Sequence, residues 1–122
     1  MPKESVLVID DEEDILELVR YNLNRECYDV ACVETGEDGL KAARARTPQL
    51  ILLDLMLPGL DGLEVCKLLK KDARTRQTPV VLVTSRNQES DRAWGLRQGA
   101  DHYLPKPFTP DDLLAAVKRF AG

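Results

Sequence analysis

LILLDLMLPGLDG occupies residues 50–62. Four apolar residues lead into one carboxylate, Asp54, and three more apolar residues follow it. An apolar run of this kind reads as a strand covered on both faces, and hence as part of a parallel sheet between helices. Asp54 then stands at the carboxyl end of a buried strand. A carboxylate taken out of water without a partner costs several kcal/mol, so something must compensate it.

The rest of the chain repeats the pattern. β-rich runs recur as SVLVID (5–10), YDVACV (28–33), QLILLD (49–54), PVVLVT (79–84) and DHYL (101–104). Between them apolar residues fall at helical spacing: Ile15, Leu18, Val19 and Leu23, then Val65, Cys66 and Leu69, then Leu113, Val117 and Phe120. Thr109-Pro110 supplies an N-cap and a first helical residue, and Gly99 suits a helix end. Gly36 parts the second strand from an alanine-rich helix over 37–46, and Pro48 stops that helix. A helix over 88–98 has a thin inward set, Ala93 and Leu96, with Trp94 beside it as a partner anchor or a cover for the core edge. This alternation predicts one α/β domain over residues 1–122, with a parallel sheet between two helical layers.

The chain has 122 residues, 43% of them apolar, and a net charge of −4. That charge argues against nucleic acid as a direct ligand. No apolar stretch approaches the roughly 20 residues of a membrane span. The N-terminus lacks a signal-peptide core, so a cytoplasmic protein without membrane insertion is expected. Cys27, Cys32 and Cys66 have an odd count and irregular spacing, which suits small buried fillers better than disulfides or a metal site. His102 reads as a surface residue.

In an open α/β sheet, ligands bind beyond the carboxyl ends of the strands. The first strand ends in Asp10-Asp11, the third in Asp54 and the fourth in Thr84-Ser85, while Lys106-Pro107 follows the fifth. Each has an ordinary reading. Asp10 and Asp11, with Glu12 and Glu13, suit a helix N-terminus. Thr84 suits a strand, and Lys106 a solvated loop. Their convergence on one edge favours a shared function. Clustered carboxylates need a cation, and Mg²⁺ takes carboxylate and phosphate oxygens. One carboxylate can then act as a nucleophile toward phosphorus, with lysine and metal balancing the charge and Thr84 donating a hydrogen bond.

With these motifs the chain resembles the receiver (response regulator) domains of two-component signalling. VLVIDDEEDI, LILLDLMLPGLDG, VVLVTS and GADHYLPKPF stand in the family's order. The resemblance implies a three-layer (βα)5 doubly wound fold in the flavodoxin-like strand order 2-1-3-4-5. It implies that Asp54 accepts a phosphoryl group from a sensor histidine kinase or a histidine phosphotransfer protein. Asp11 and Asp54 would ligate Mg²⁺, or Mn²⁺ as a substitute, together with the backbone carbonyl of Met56. Asp10 would act through metal-bound water. Lys106 would pair with the phosphoryl group, Thr84 would swing toward it, and Tyr103 would move inward. The Lys106-Pro107 peptide bond would be cis. Such a protein is a phosphoacceptor that assists its own phosphorylation and dephosphorylation, not an enzyme acting on separate substrates. Its output, a population shift, would reach a downstream protein through the fourth helix, fifth strand and fifth helix.

Two departures bear on assembly. His102 replaces the second acid usual before the aromatic, and Ala115-Ala116 lie where DNA-binding members carry an arginine. A monomer or weak dimer is therefore expected. NQESDRAWGLRQGADHYL (87–104) is closer to single-domain receivers of motility systems. The alternatives are a receiver cut from a longer DNA-binding regulator and a phosphorylation-independent scaffold. Arg86 and Met56 are expected to flank the site as a bulky pair that restricts water and prolongs the acyl phosphate. A flavodoxin-like electron carrier is disfavoured because DDEED (10–14) would repel a flavin phosphate. An aspartate phosphatase would want an acid where Met56 stands.

Overall fold

The computed structural model describes residues 4–85, 93 and 95–121. Its elements run β1 (Ser5–Ile9), α1 (Glu13–Arg25), β2 (Asp29–Val33), α2 (Gly36–Arg46), β3 (Leu50–Leu53), α3 (Gly62–Lys71), β4 (Val80–Thr84), β5 (His102–Pro105) and a C-terminal helix (Pro110–Ala121). The sheet is wholly parallel, in the order β2-β1-β3-β4-β5.

Strand alternation explains the unbroken apolar runs. Val6, Val8, Leu50, Leu52, Val81 and Val83 face a core shared with α1 and the C-terminal helix. Leu7, Ile9, Ile51, Leu53, Val80 and Leu82 face a second core shared with α2 and α3. Both faces of the central strands are thus covered, and no alternation with polar residues is possible there.

The helix signals hold, with shifts of phase. Thr109 Oγ1 accepts from Asp112 N at 3.1 Å, and an Asp112 carboxylate oxygen accepts from Thr109 N at 3.1 Å, a reciprocal cap. Gly36 is the first residue of α2, which Thr35 caps through Asp38 N. In α1 the buried residues are Leu16, Val19 and Leu23, while Ile15 and Leu18 are only partly buried. The inward set expected of Ala93 and Leu96 is corrected: both are exposed, and Gly95 is buried instead. A Cβ at Gly95 would run into Leu82 Cδ1, so this segment approaches the sheet at its smallest residue. Trp94, Arg86 and most of the expected helix over 88–98 lie outside the described residues. Cys66 is buried and Cys32 partly so, but Cys27 is exposed in the left-handed turn between α1 and β2, not a core filler. His102 is half-buried, with its ring 5.9 Å from that of Phe120.

At the amino edge of β4 one carboxylate joins three segments. Asp101 Oδ2 accepts from Lys70 Nζ at 3.0 Å and from Val80 N at 2.9 Å. Lys70 also donates to Thr78 O at 2.8 Å. Asp101→Ala strands the Val80 amide and leaves the Lys70 ammonium only its carbonyl partners. It should cost about 1–2 kcal/mol in urea unfolding, whereas Asp101→Asn should cost less; equal stability of the alanine variant would contradict this role.

Candidate functional site

The backbone ladder continues one residue beyond β1 and β3. Asp10 N donates to Val33 O at 3.1 Å, and Asp54 N donates to Ile9 O at 2.9 Å. Because Ile9 pairs with Leu53, the two carboxylates that follow are neighbours on adjacent strands. Both are buried, at 2% and 3% exposure. Their remaining oxygens are engaged locally: Asp10 Oδ1 accepts from Glu12 N at 2.9 Å and Asp54 Oδ1 from Met56 N at 3.0 Å. Thr84, fully buried, ends β4, and its carbonyl accepts from Lys106 N at 2.8 Å. That bond directs the Lys106 side chain over the edge. The Lys106-Pro107 bond is cis.

Lys106 is the compensating charge. Its Nζ lies 2.9 Å from Asp10 Oδ2, 2.9 Å from Glu12 Oε1 and 3.2 Å from Asp54 Oδ2. Burial alone would lower its pKa, but the hydrogen bonds it donates to Glu12 and Asp10 and the charges of Asp10 and Asp54 outweigh it and raise the pKa. For Asp54 the balance falls the other way. Burial pushes its carboxyl up to about 6 despite the Met56 amide, Asp10 adds to the rise, and Lys106 offsets only part of it.

Oxygens of Asp10, Glu12 and Asp54 lie within 4.8 Å of one another. The donor set is all carboxylate, and three negative charges face one ammonium. This suits a hard divalent cation such as Mg²⁺ or Mn²⁺ and not a soft one. Asp11 stands outside this triad. It is exposed and lines an open groove with Leu55, Met56, Leu57, Pro58, Gly59 and Asp61. Glu12, read from the sequence as a helix-end acid, does occupy the N-cap of α1 but makes no side-chain cap; its carboxylate goes to Lys106 instead. The signal was there in DDEED, which holds more acids than one helix end can use. Tyr103 is buried at 4% exposure within the core of α2 and α3, and Met56 is 56% exposed at the mouth of the site.

The family described as the response regulator receiver domain matches residues 6–118. This chain belongs to that family. It is 47% identical over 113 residues to the alkaline phosphatase synthesis transcriptional regulatory protein PhoP of Bacillus subtilis, covering 93% of this chain and 46% of that protein. The chain thus spans about half the length of this curated relative. Among solved structures, the BeF3-activated DrrB receiver domain is 36% identical, with a TM-score of 0.87 and coverage of 98% and 97% of the two chains. The receiver domain of a sensor histidine kinase from Pseudomonas aeruginosa PAO1, described with a magnesium ion coordinated in its active-site cleft, is 26% identical. Its TM-score is 0.91, and 99% of each chain is covered. The domain is therefore a phosphorylation-dependent switch of two-component signalling, and its acidic cluster is compatible with metal binding.

The raised Asp54 pKa has a stability consequence. The folded form holds a proton to higher pH than the unfolded chain does. Stability without metal therefore falls as pH rises from about 4 through 6, and the loss is complete above that. Asp54→Asn should stabilise the metal-free protein by about 1–2 kcal/mol at pH 7.5 and by almost nothing near pH 4. Thermal melts in a chelator across that range check this, and destabilisation at pH 7.5 would contradict it.

Proposed function

We propose that residues 1–122 form a receiver in which Asp54 is the phosphoacceptor. The observation that carries the reading is a buried carboxylate at a strand end, in contact with one ammonium and beside two further acids. An Asp54 oxygen attacks the phosphorus of a phosphohistidine on a sensor kinase or phosphotransfer protein. The P–N bond breaks, and the imidazole leaves with its electron pair. Lys106, already 3.2 Å from Asp54 Oδ2, stays close enough to pair with the new phosphoryl oxygens. Met56 N orients the acceptor by holding the other oxygen of the same carboxylate.

Mg²⁺, when bound, spreads the charge of the transferring phosphoryl group. Asp11, exposed on the groove beside Met56, and Asp54 would hold the ion directly with the Met56 carbonyl, and Asp10 would act through water. The magnesium described in a fold neighbour supports that choice of ion. Glu12 serves as a second counter-charge for Lys106, which frees the ammonium to shift between carboxylates.

Thr84 and Tyr103 are the proposed switch pair. Thr84 sits on the strand adjoining β5, and its carbonyl holds the Lys106 amide, so a change at Asp54 is felt at β5 through one backbone bond. Tyr103, buried in this structure, is proposed to respond to the movement of Thr84 when Asp54 is phosphorylated. The reporting surface is proposed to be the fourth helix with β5 and the C-terminal helix, acting on a downstream protein. The protein is expected to be cytoplasmic, a monomer or weak dimer, and a phosphoacceptor without separate substrates; among the described residues no helix is long and apolar enough to cross a membrane. Similarity to a transcriptional regulatory protein favours a second reading, in which this receiver controls an attached transcriptional effector.

Incubation with a small acyl phosphate and Mg²⁺, followed by intact-mass measurement, tests the assignment. The protein should gain one phosphoryl group, and Asp54→Asn or chelation should reduce the gain at least about a hundredfold. Equal labelling of the Asn variant would move the acceptor elsewhere.

A further inference from the structure

The loop between β3 and α3 carries the acceptor's neighbours, and what fixes it is only partly local. At its base, Met56 N holds Asp54 Oδ1, and Gly62 N donates to Leu55 O at 3.1 Å. A Cβ at Gly62 would collide with the Asp54 carbonyl, so the loop closes tightly on the acceptor's own backbone. Its tip, Gly59-Leu60, has neither of these ties. The tip rests on the start of α2. A Cβ at Gly36 would lie 2.9 Å from Leu60 Cβ and 3.1 Å from Leu60 O.

One carboxylate completes that contact. Glu37, in the first turn of α2, accepts from Leu60 N through Oε1 at 3.1 Å. Gly59 has φ +76, and a Cβ there would lie 3.0 and 3.1 Å from the two Glu37 oxygens. Only glycine lets the backbone turn left-handed and the carboxylate pass this close. The loop is thus tied at both ends, by the acceptor at its base and by a side chain from another element at its tip.

The geometry points to Glu37 as a positioning residue for the phosphoacceptor loop, holding Met56 in the place where its amide orients Asp54. This rests on the reading of Asp54 as the acceptor. Glu37 touches neither phosphorus nor metal; it acts through the backbone of residues 56–60. Its charge also adds to the negative field of this edge, and the two contributions separate on substitution. Glu37→Gln keeps the acceptor oxygen and loses the charge, whereas Glu37→Ala loses both.

Amide spectra of the metal-free protein and calorimetric Mg²⁺ titration form the test. In Glu37→Ala the Leu60 and Met56 resonances should move, the Leu60 amide should exchange faster, and the Mg²⁺ Kd should rise about three- to tenfold. Glu37→Gln should keep the wild-type Leu60 and Met56 resonances and raise the Mg²⁺ Kd by clearly less than Glu37→Ala does. The inference is overturned if Glu37→Ala leaves the Met56 resonance and the Kd unchanged, or if Glu37→Gln is as impaired as Glu37→Ala. A lower melting temperature with unchanged Kd also overturns it, since that is a structural role only. If the wild type takes up no phosphoryl group, the acceptor assignment fails by itself, while the Met56 resonance still decides whether Glu37 sets the loop.

Discussion

Two buried carboxylates held side by side by a parallel sheet are the constraint on which the molecule depends. Asp10 and Asp54 cannot move apart, because each backbone amide is locked into the ladder of the neighbouring strand. Neither can reach water freely, at 2% and 3% exposure. The protein balances them with Lys106, which a bond to the Thr84 carbonyl delivers from the far side of β4. Even so, the balance is incomplete, and Asp54 keeps a raised pKa of about 6. A site that remains short of positive charge is a site that invites a divalent cation and a nucleophile's use.

The same shortage couples chemistry to shape. Lys106 follows β5, Thr84 ends β4, and Tyr103 lies within β5. Any redistribution of the ammonium between Asp54, Asp10 and Glu12 must therefore pass through the strand pair at the sheet's edge. On the opposite, amino edge, the Lys70–Asp101 clamp fixes where β4 and β5 begin. That clamp anchors the edge opposite to the one that carries the charges. Gly95 approaches Leu82 more closely than any side chain at that position would allow.

Much of this was legible in the sequence. Unbroken runs such as LILL, alternating with stretches of helical spacing, predict a parallel sheet with Asp10, Asp54 and Thr84 at its carboxyl edge, as the structure has them. What escaped was set by tertiary contact rather than by local pattern. Glu12 follows two aspartates at a helix start, and only the fold reveals that Lys106, distant in sequence, outbids the helix for its carboxylate. Gly95 took the inward position expected of Ala93 and Leu96 because the spacing between helix and sheet, invisible in a period, was too small for a methyl group. Cys27 was drawn outward by the tight left-handed turn it occupies.

The central claim is that the sheet forces the two carboxylates together and that positive charge at this edge offsets the cost of burying them. Urea unfolding of Lys106→Met, with and without saturating Mg²⁺, tests it most directly. Without metal the variant should lose about 3 kcal/mol or more, since it leaves buried charges uncompensated, and Mg²⁺ should restore more stability to it than it adds to the wild type. A variant as stable as the wild type in chelator, gaining nothing extra from Mg²⁺, would contradict the account.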